Sequence, residues 1–495
     1  MRLCNFVLLS LDGKLYVEPI PLSEGKRFSS TCQRVGETLK THRTLRDFID
    51  TLRDEGDLIS LEEPFDPTYE ISTVISELAK KEAPAILFEK PKGFQIPVIG
   101  NLFGTVGRLA LALGIREDRL VEDVVPRVEK RVAPVSISED ITQEVNVPRS
   151  KVDLFKLLPA LTHYSKDSGP YITSGISSAR DPEAGVTGRG LHRMEVRGKN
   201  TLGISLLNPP LADIYAHHKK EGKRMEIATV IGVPPAVFIA SILKVSRGTD
   251  KLSVAGGLLG EPVETTTAKT VDVDIPAHGE IIIEGTIDPN DKEEDGTLGE
   301  SSGYYMAFGK SPTIHVTGLR HRKDALYHAV VPWAREVDSL LYLVHGLDFI
   351  PKMRREVPSL RHIHLVPMTF GSHVVMSIDS DHKGEIRRAL TLALSFAGVK
   401  KAVVVDTDVN PEDEQEVEWA LATRFQANRD LIVIPELRSQ PIDPSGTWTG
   451  EGFLSAKMGL DATRPKKDGF EKVDVPDNVR RRLSALLKDL KGRIK

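Results

Sequence analysis

Two carboxylates and one arginine are the residues of this chain best placed to do chemistry. Asp295 and Glu300 stand five residues apart in Asp295-Gly-Thr-Leu-Gly-Glu300, and Ser-Ser-Gly-Tyr-Tyr305 follows. Glycines let the backbone turn sharply and come close to a ligand. Carboxylates on such a turn can converge on one reacting group, as proton transfer requires. Far upstream, Arg193 lies in Leu191-His-Arg-Met-Glu-Val196. A guanidinium stays charged and presents a planar fork that matches a carboxylate. A structural Arg–carboxylate network would use the same residue types, but polar turns at a cleft favour a site.

The elements that position these residues follow from length and periodicity. At 495 residues the chain exceeds one ordinary core, so several domains are expected. The 40% hydrophobic and 27% charged fractions fit a soluble globular protein, and a net charge of −4 gives no reason to expect a nucleic-acid partner. No apolar run reaches the length of a membrane span. The cysteines, Cys4 and Cys32, both lie in the leader. Disulfides therefore do not hold the body of the fold, and a reducing cytoplasm is expected.

Residues 1–42 are expected to form an N-terminal extension. In it Asp12-Gly13 turns a hairpin, and the polar stretch Ser23 to Lys40 forms a linker. Residues 43–133 are expected to form an α/β domain. It opens with an N-cap at Thr44 and a helix stopped by Gly56. Residues 134–326 change to short strands, with Val271, Val273 and Ile275 turning through His278-Gly279 into Ile281–Ile283. That texture predicts a β-barrel or folded sheet. Residues 327–470 return to α/β alternation, which favours parallel pairing: His364–Ile378 reads as strand, Glu385–Ala397 as helix, Ala402–Val405 as strand, Val417–Arg424 as helix and Leu431–Ile434 as strand. Residues 471–495 form a basic amphipathic helix with Val479, Leu483, Leu486, Leu487 and Leu490 on one face. Docking on protein suits it better than a membrane surface.

Four blocks between Thr44 and Lys466 resemble the UbiD family of prenylated-FMN-dependent decarboxylases. They are Leu45-Arg-Asp-Phe-Ile49; Leu191–Val196; Asp295–Glu300 with Gly303-Tyr-Tyr305; and Asp406-Thr-Asp-Val409 with Trp419–Arg424 and Ala456–Thr463. The resemblance implies an α/β N-terminal domain, a split β-barrel that carries the flavin, and an α/β C-terminal domain that oligomerises. It implies a carboxy-lyase acting reversibly on an aromatic or α,β-unsaturated carboxylic acid through a covalent prenylated-FMN adduct, so that the cofactor carries the hard chemistry. Arg193 matches the family's catalytic arginine and Glu300 its proton donor. Asp295 falls where many members have Glu, and the three are expected to form a hydrogen-bonded proton relay. A flavin prenyltransferase is the implied cofactor supplier, and a homo-oligomer, dimer or hexamer, is the implied assembly.

The cofactor contacts implied by the resemblance are Arg189, Leu191, His192, Arg193, Glu264 and Lys457. Members of the family bind a divalent metal such as manganese, and often potassium, through Asn, His and Glu. Here the Asn position is Gly188 and the His position falls near Pro210; of the three, Glu264 alone remains. Glycine and proline side chains cannot bind a metal, so Arg189 and Lys457 are expected to neutralise the cofactor phosphate directly. His328, Trp333 and Arg335, in Tyr327-His-Ala-Val-Val-Pro-Trp-Ala-Arg335, match a segment near the substrate. The broken metal pattern also leaves a second reading open: a cofactor-poor UbiD-like subunit or scaffold of a larger carboxylase complex.

Overall fold

The computed structural model describes residues 6–11, 14–19, 41–81, 83–138, 144–450, 452–465 and 472–493. Cys4, Cys32, Asp12-Gly13 and the stretch 23–40 lie outside them. The chain forms two compact units, and the larger, Thr38–Thr463, contains every candidate site residue. In the smaller unit, Phe6–Leu11 pairs antiparallel with Lys14–Pro19. A helix spans Asp477–Arg493, and its Leu486, Leu487 and Leu490 are about half exposed. Among the described residues no helix is long and apolar enough to cross a membrane.

The larger unit begins at a complete capping box. The Thr44 hydroxyl accepts from the Asp47 N–H at 3.1 Å, and the Asp47 carboxylate accepts from the Thr44 N–H at 2.9 Å. The helix Leu45–Asp54 that follows buries Leu45, Phe48, Ile49 and Leu52. A four-stranded sheet then runs in the order Tyr327–Ala329, Val98–Gly100, Ala85–Phe88, Leu58–Leu61. The strand Tyr327–Ala329, near the opening of the last domain by sequence, thus pairs parallel with Val98–Gly100 of the first.

The middle of the unit is a nine-stranded sheet. Its path runs Thr187–Leu191, Ile176–Arg180, Met225–Ile231, Ile281–Glu294, Lys310–His321, Thr201–Ile204, Met194–Gly198, Tyr171–Ile172, with Val145–Pro148 pairing off the path. Strands Thr187–Leu191 and Met194–Gly198 are consecutive in sequence but lie six strand spacings apart along this path. Laid flat, six spacings of about 4.8 Å would separate them by roughly 29 Å. The link from Leu191 to Met194 can span only about 11 Å. The sheet therefore curls until these strands approach, as a split barrel does. Arg193 lies in the link that crosses the split.

The strands from Val271 to Ile283 do not make the expected hairpin. Asp274–Pro276 pairs instead with Glu264–Thr267, while Ile281–Glu294 pairs with Met225–Ile231 and Lys310–His321. The last third is a mixed six-stranded sheet. Its central strands His373–Ile378, Lys401–Asp406 and Phe453–Asp461 are parallel. Leu360–Leu365 and Leu431–Arg438 add antiparallel at the two ends, so the expected strand at Leu431–Ile434 forms but not in parallel. The stretch His364–Ile378 is two strands rather than one. Met368, Phe370 and Gly371 take φ of 60°, 43° and 75°, and the chain reverses there.

Candidate active site

Each part of the site is placed by strand register. Met194 pairs with Ile204 across neighbouring strands, which sets Arg193 beside Ser205. The two acids come from the segment after the long strand Ile281–Glu294. Leu298–Gly299 pairs with Tyr305–Met306 in a short hairpin, and Glu300 starts its turn. The Glu300 N–H donates to Tyr304 O and the Gly303 N–H to Glu300 O, both at 2.9 Å, with Gly303 at φ 78°. That positive φ is why a glycine stands there.

Arg193 gathers these elements. Its Nη1 donates to Glu300 Oε1 at 2.6 Å, its Nη2 to Asp295 Oδ2, and its Nε to Ser205 Oγ at 3.0 Å. The Gly296 and Met306 carbonyls complete its partners at 3.3 and 3.4 Å. The Phe308 ring covers the guanidinium, with its centroid 4.9 Å away. Asp295 is held on three sides, since Ser205 Oγ and the Phe308 N–H also donate to it, each at 2.9 Å. Glu300 differs. Oε1 is bound to Arg193, and Oε2 has no hydrogen-bond partner among the described residues. The Glu300 side chain is 18% exposed against 5% for Asp295, so the uncommitted oxygen can reach a ligand. Burial works against the Arg193 charge, but the Glu300 and Asp295 carboxylates outweigh it and keep the guanidinium more firmly protonated than usual.

The remaining sequence candidates divide. Trp333 joins the site: its indole lies against Gly303, and its main-chain N–H donates to the Tyr164 hydroxyl at 3.1 Å. Arg335 opens the helix Arg335–Glu356 two residues on and bears electrostatically on Asp338. His328 is not open to a substrate. Its ring is buried against Phe103 and Phe238, with Nε2 4.0 Å from the buried Glu336. His192 is buried too, with Nδ1 3.0 Å from Ser205 O, and burial lowers its pKa to about 4, so it is neutral at pH 7. Leu191 packs against the main apolar core.

Both expected phosphate cations have partners inside the protein. Arg189 is 1% exposed and committed inside the protein, to Asp250 at 2.6 Å and to the carbonyls of Thr187 and Asp274. Lys457 is 1% exposed and donates to Leu394 O and Phe396 O, at the end of the helix Lys383–Ser395. Helix-terminal carbonyls need such donors. The sequence reading missed Ser205, Phe308, Tyr164 and Asp167. Ser205 is signalled only by its place one residue beyond the strand paired with that of Met194. Asp167 lies in the polar turn Tyr164-Ser-Lys-Asp-Ser-Gly-Pro170, where an acid among turn formers is commonplace.

Known proteins are similar to this chain in fold and in sequence. Three family models match in order: the 3-octaprenyl-4-hydroxybenzoate carboxy-lyase N-terminal domain over residues 49–128, its Rift-related domain over 135–335 and its C-terminal domain over 339–462. Anhydromevalonate phosphate decarboxylase of Methanosarcina mazei is 33% identical over 447 residues, covering 88% of this chain and 100% of that protein. The chain belongs to the UbiD family. Among solved structures, the UbiD-class enzyme HmfF from Pelotomaculum thermopropionicum, in complex with FMN, superposes with a TM-score of 0.82 at 35% identity, covering 89% of this chain and 99% of that one. An evolved dimeric form of the same enzyme, in complex with prFMN, gives a TM-score of 0.78 at 34% identity, covering 88% and 98%. Klebsiella pneumoniae 3,4-dihydroxybenzoic acid decarboxylase gives 0.80 at 26% identity, covering 89% and 99%. As a UbiD-family protein the chain is a carboxy-lyase of mixed α/β architecture.

The donor set can be tested against the family's cofactor and metal. An arginine with one committed and one half-free carboxylate fits the acid–base side of flavin-assisted decarboxylation. The metal does not fit. A Cβ built on Gly188 would run into the side chains of Pro210 and Ile214, so the two substituted ligand positions face each other and are closed by an isoleucine. Glu264 is engaged with His278 Nε2 at 2.6 Å. Among the described residues no group of three or more His, Cys, Asp or Glu could hold a metal ion.

Proposed function

We propose that this chain is a prenylated-FMN-dependent decarboxylase, or a carboxylase in the reverse sense, acting on an aromatic or α,β-unsaturated carboxylic acid. The observation that carries the reading is Arg193 holding two carboxylates while Glu300 keeps one oxygen unbound. When bound, the flavin supplies the electron sink for the charge left as CO₂ departs. The protein's own part is the proton. Asp295 balances the Arg193 charge permanently, so Glu300 can carry a proton on Oε2 and give it up without leaving the guanidinium uncompensated. Glu300 then delivers that proton to the product carbon, and Arg193 orients it for the transfer. Because the N–H groups of Arg193 point at the protein's own acids and carbonyls, its role is to place Glu300 rather than to clamp a substrate carboxylate. Trp333, 45% exposed beside the Glu300 turn, supplies a flat apolar wall suited to a conjugated acid.

Gly188 against Pro210 favours a second reading, in which the chain is a cofactor-poor subunit supporting a catalytic partner. Coexpression with a flavin prenyltransferase separates the two. The absorption spectrum and the mass of the released cofactor are recorded, and CO₂ release is then assayed with a panel of unsaturated and aromatic acids. The enzyme reading expects prenylated flavin and turnover of at least one acid. A protein with neither is the scaffold.

A further inference from the structure

Behind the Glu300 turn runs a segment, residues 163–168, that the proton chemistry above does not use. Asp167 is its centre. The side chain is fully buried, and main-chain donors occupy both oxygens. Oδ2 accepts from the N–H groups of His163 and Tyr164, and Oδ1 from the N–H of Gly299, all at 2.9 Å. The His163 ring nitrogen Nδ1 stays 3.7 Å from Oδ2. Gly299 is the residue before Glu300. One buried carboxylate thus ties a separate loop to the peptide that presents the proposed acid.

The neighbours of Asp167 aim at the same turn. The Tyr164 ring occupies the space a Cβ on Gly299 would need, while its hydroxyl accepts the Trp333 main-chain N–H at 3.1 Å. The Lys166 N–H donates to the Tyr305 hydroxyl at 3.3 Å, and the Ser168 N–H to Thr297 O at 2.9 Å. These contacts fall on residues 297–305 or on Trp333. Burial alone would raise the Asp167 carboxyl; the His163 side chain and the N–H groups of Gly299 and Tyr164 outweigh it and hold it below the usual range. A buried anion kept charged by N–H groups from two separate segments is a rigid joint, because losing either set leaves unsatisfied polar groups in the interior.

We infer that Asp167 is a positioning residue for Glu300: it fixes the Gly299 peptide, and so sets where the Glu300 carboxyl meets the reacting carbon. Through Tyr164 the same joint holds Trp333 in step with that turn. The inference rests on Glu300 as proton donor, so its test needs one readout that does not depend on turnover.

Asp167→Asn keeps the size but leaves a single acceptor oxygen, so either Gly299 or the His163–Tyr164 pair loses its partner. Hydrogen exchange by mass spectrometry, on the full chain, should show peptides from 297–305 exchanging about tenfold faster. Strands Ile281–Glu294 and Lys310–His321 should be unchanged. In the flavin-loaded enzyme kcat should fall about tenfold or more with KM within about threefold, the signature of a displaced acid rather than of lost binding. Gly299→Ala displaces the same turn from the Tyr164 side and should give the same pair of results, so the inference survives a poorly folding Asp167 variant. Unchanged exchange at 297–305, or loosening spread evenly through the barrel, would overturn it. If wild type turns over no acid, the functional proposal falls, and the exchange data alone uphold or overturn the hold of Asp167 on the turn.

Discussion

Arg193 and Arg424 each grip two carboxylates, and they do not do the same thing. Arg193 holds Asp295 and Glu300 at the split of the barrel. Arg424 holds Asp406 and Asp408 in the C-terminal sheet domain. Each guanidinium is covered by an aromatic ring, Phe308 at 4.9 Å and Trp419 at 4.7 Å. Exposure of the acids does not distinguish them, since Asp406 and Asp408 are 22% and 25% exposed and Glu300 is 18%. Commitment of oxygens to the guanidinium separates Asp408 from Glu300. Asp408 gives Oδ1 to Nη1 and Oδ2 to Nη2, at 3.0 and 2.7 Å, a closed fork. Glu300 gives one oxygen only, from a longer side chain on a glycine turn. A carboxylate that gives both oxygens to one guanidinium, as Asp408 does, fastens a fold. One that leaves an oxygen over can move a proton.

The contrast between the arginines breaks or sharpens first at Glu300. Glu300→Gln keeps the size and the hydrogen bond to Arg193 but removes the ionisable proton. Turnover should fall by roughly 10²–10⁴-fold, the usual worth of a general acid, with flavin still bound and melting temperature nearly unchanged. Arg424→Ala should do the converse. It takes the guanidinium from two carboxylates and should cost about 3–5 kcal/mol of stability in denaturant unfolding, while kcat per folded molecule stays the same. If Arg424→Ala instead removed activity from a stable protein, the division of labour between the two arginines would fail.

Much of the fold and of the site is legible in the amino-acid sequence, and the parts that are not share a cause. Local signals are faithful: the Thr44 cap with Asp47, the helix face Leu45, Phe48, Ile49 and Leu52, and the texture of the middle region. The candidate trio is legible through resemblance, because Arg193 and Glu300 sit in short recognisable runs. Strand partners are not legible. Val271–Ile275 reads as half of a hairpin with Ile281–Ile283, yet Asp274–Pro276 pairs with the preceding Glu264–Thr267 in a separate three-stranded sheet, and Ile281–Glu294 pairs with Met225–Ile231 and Lys310–His321, because alternation marks a strand but not which neighbour it takes. Arg189 and Lys457 look like free cations, because sequence shows a charge and not its partner. Their commitments to Asp250 and to helix-terminal carbonyls are tertiary facts.

Smaller effects test the edges of the same idea. Asp338 is an acid held by a main-chain N–H, that of Met368 at 2.7 Å. Burial pushes it up to about 6, against the pull of that N–H and of Arg335. With the folded value raised, the native state holds a proton that the unfolded chain has lost, so stability falls as pH rises from the ordinary carboxylate range through about 6. Asp338→Asn should therefore stabilise the protein at pH 7.5, by about 1 kcal/mol after allowance for solvent screening. The gain should shrink as pH falls through 6 and vanish near pH 4. A gain independent of pH would mean that charge is not the cause. The smallest effect expected is none: with Gly188 facing Pro210, EDTA should leave flavin content unchanged. Flavin lost to the chelator and restored by manganese would place a metal site this geometry does not provide.

The central claim is that Glu300 moves the proton while Arg193 and Asp295 hold it in place. The most direct measurement is deuterium incorporation from D₂O at the product carbon, in wild type and in Glu300→Gln carrying equal flavin, with a substrate that wild type turns over. Wild type should exchange readily, and Glu300→Gln should exchange at least about a hundredfold more slowly. Exchange at the wild-type rate in Glu300→Gln would contradict the account and remove Glu300 from the reaction.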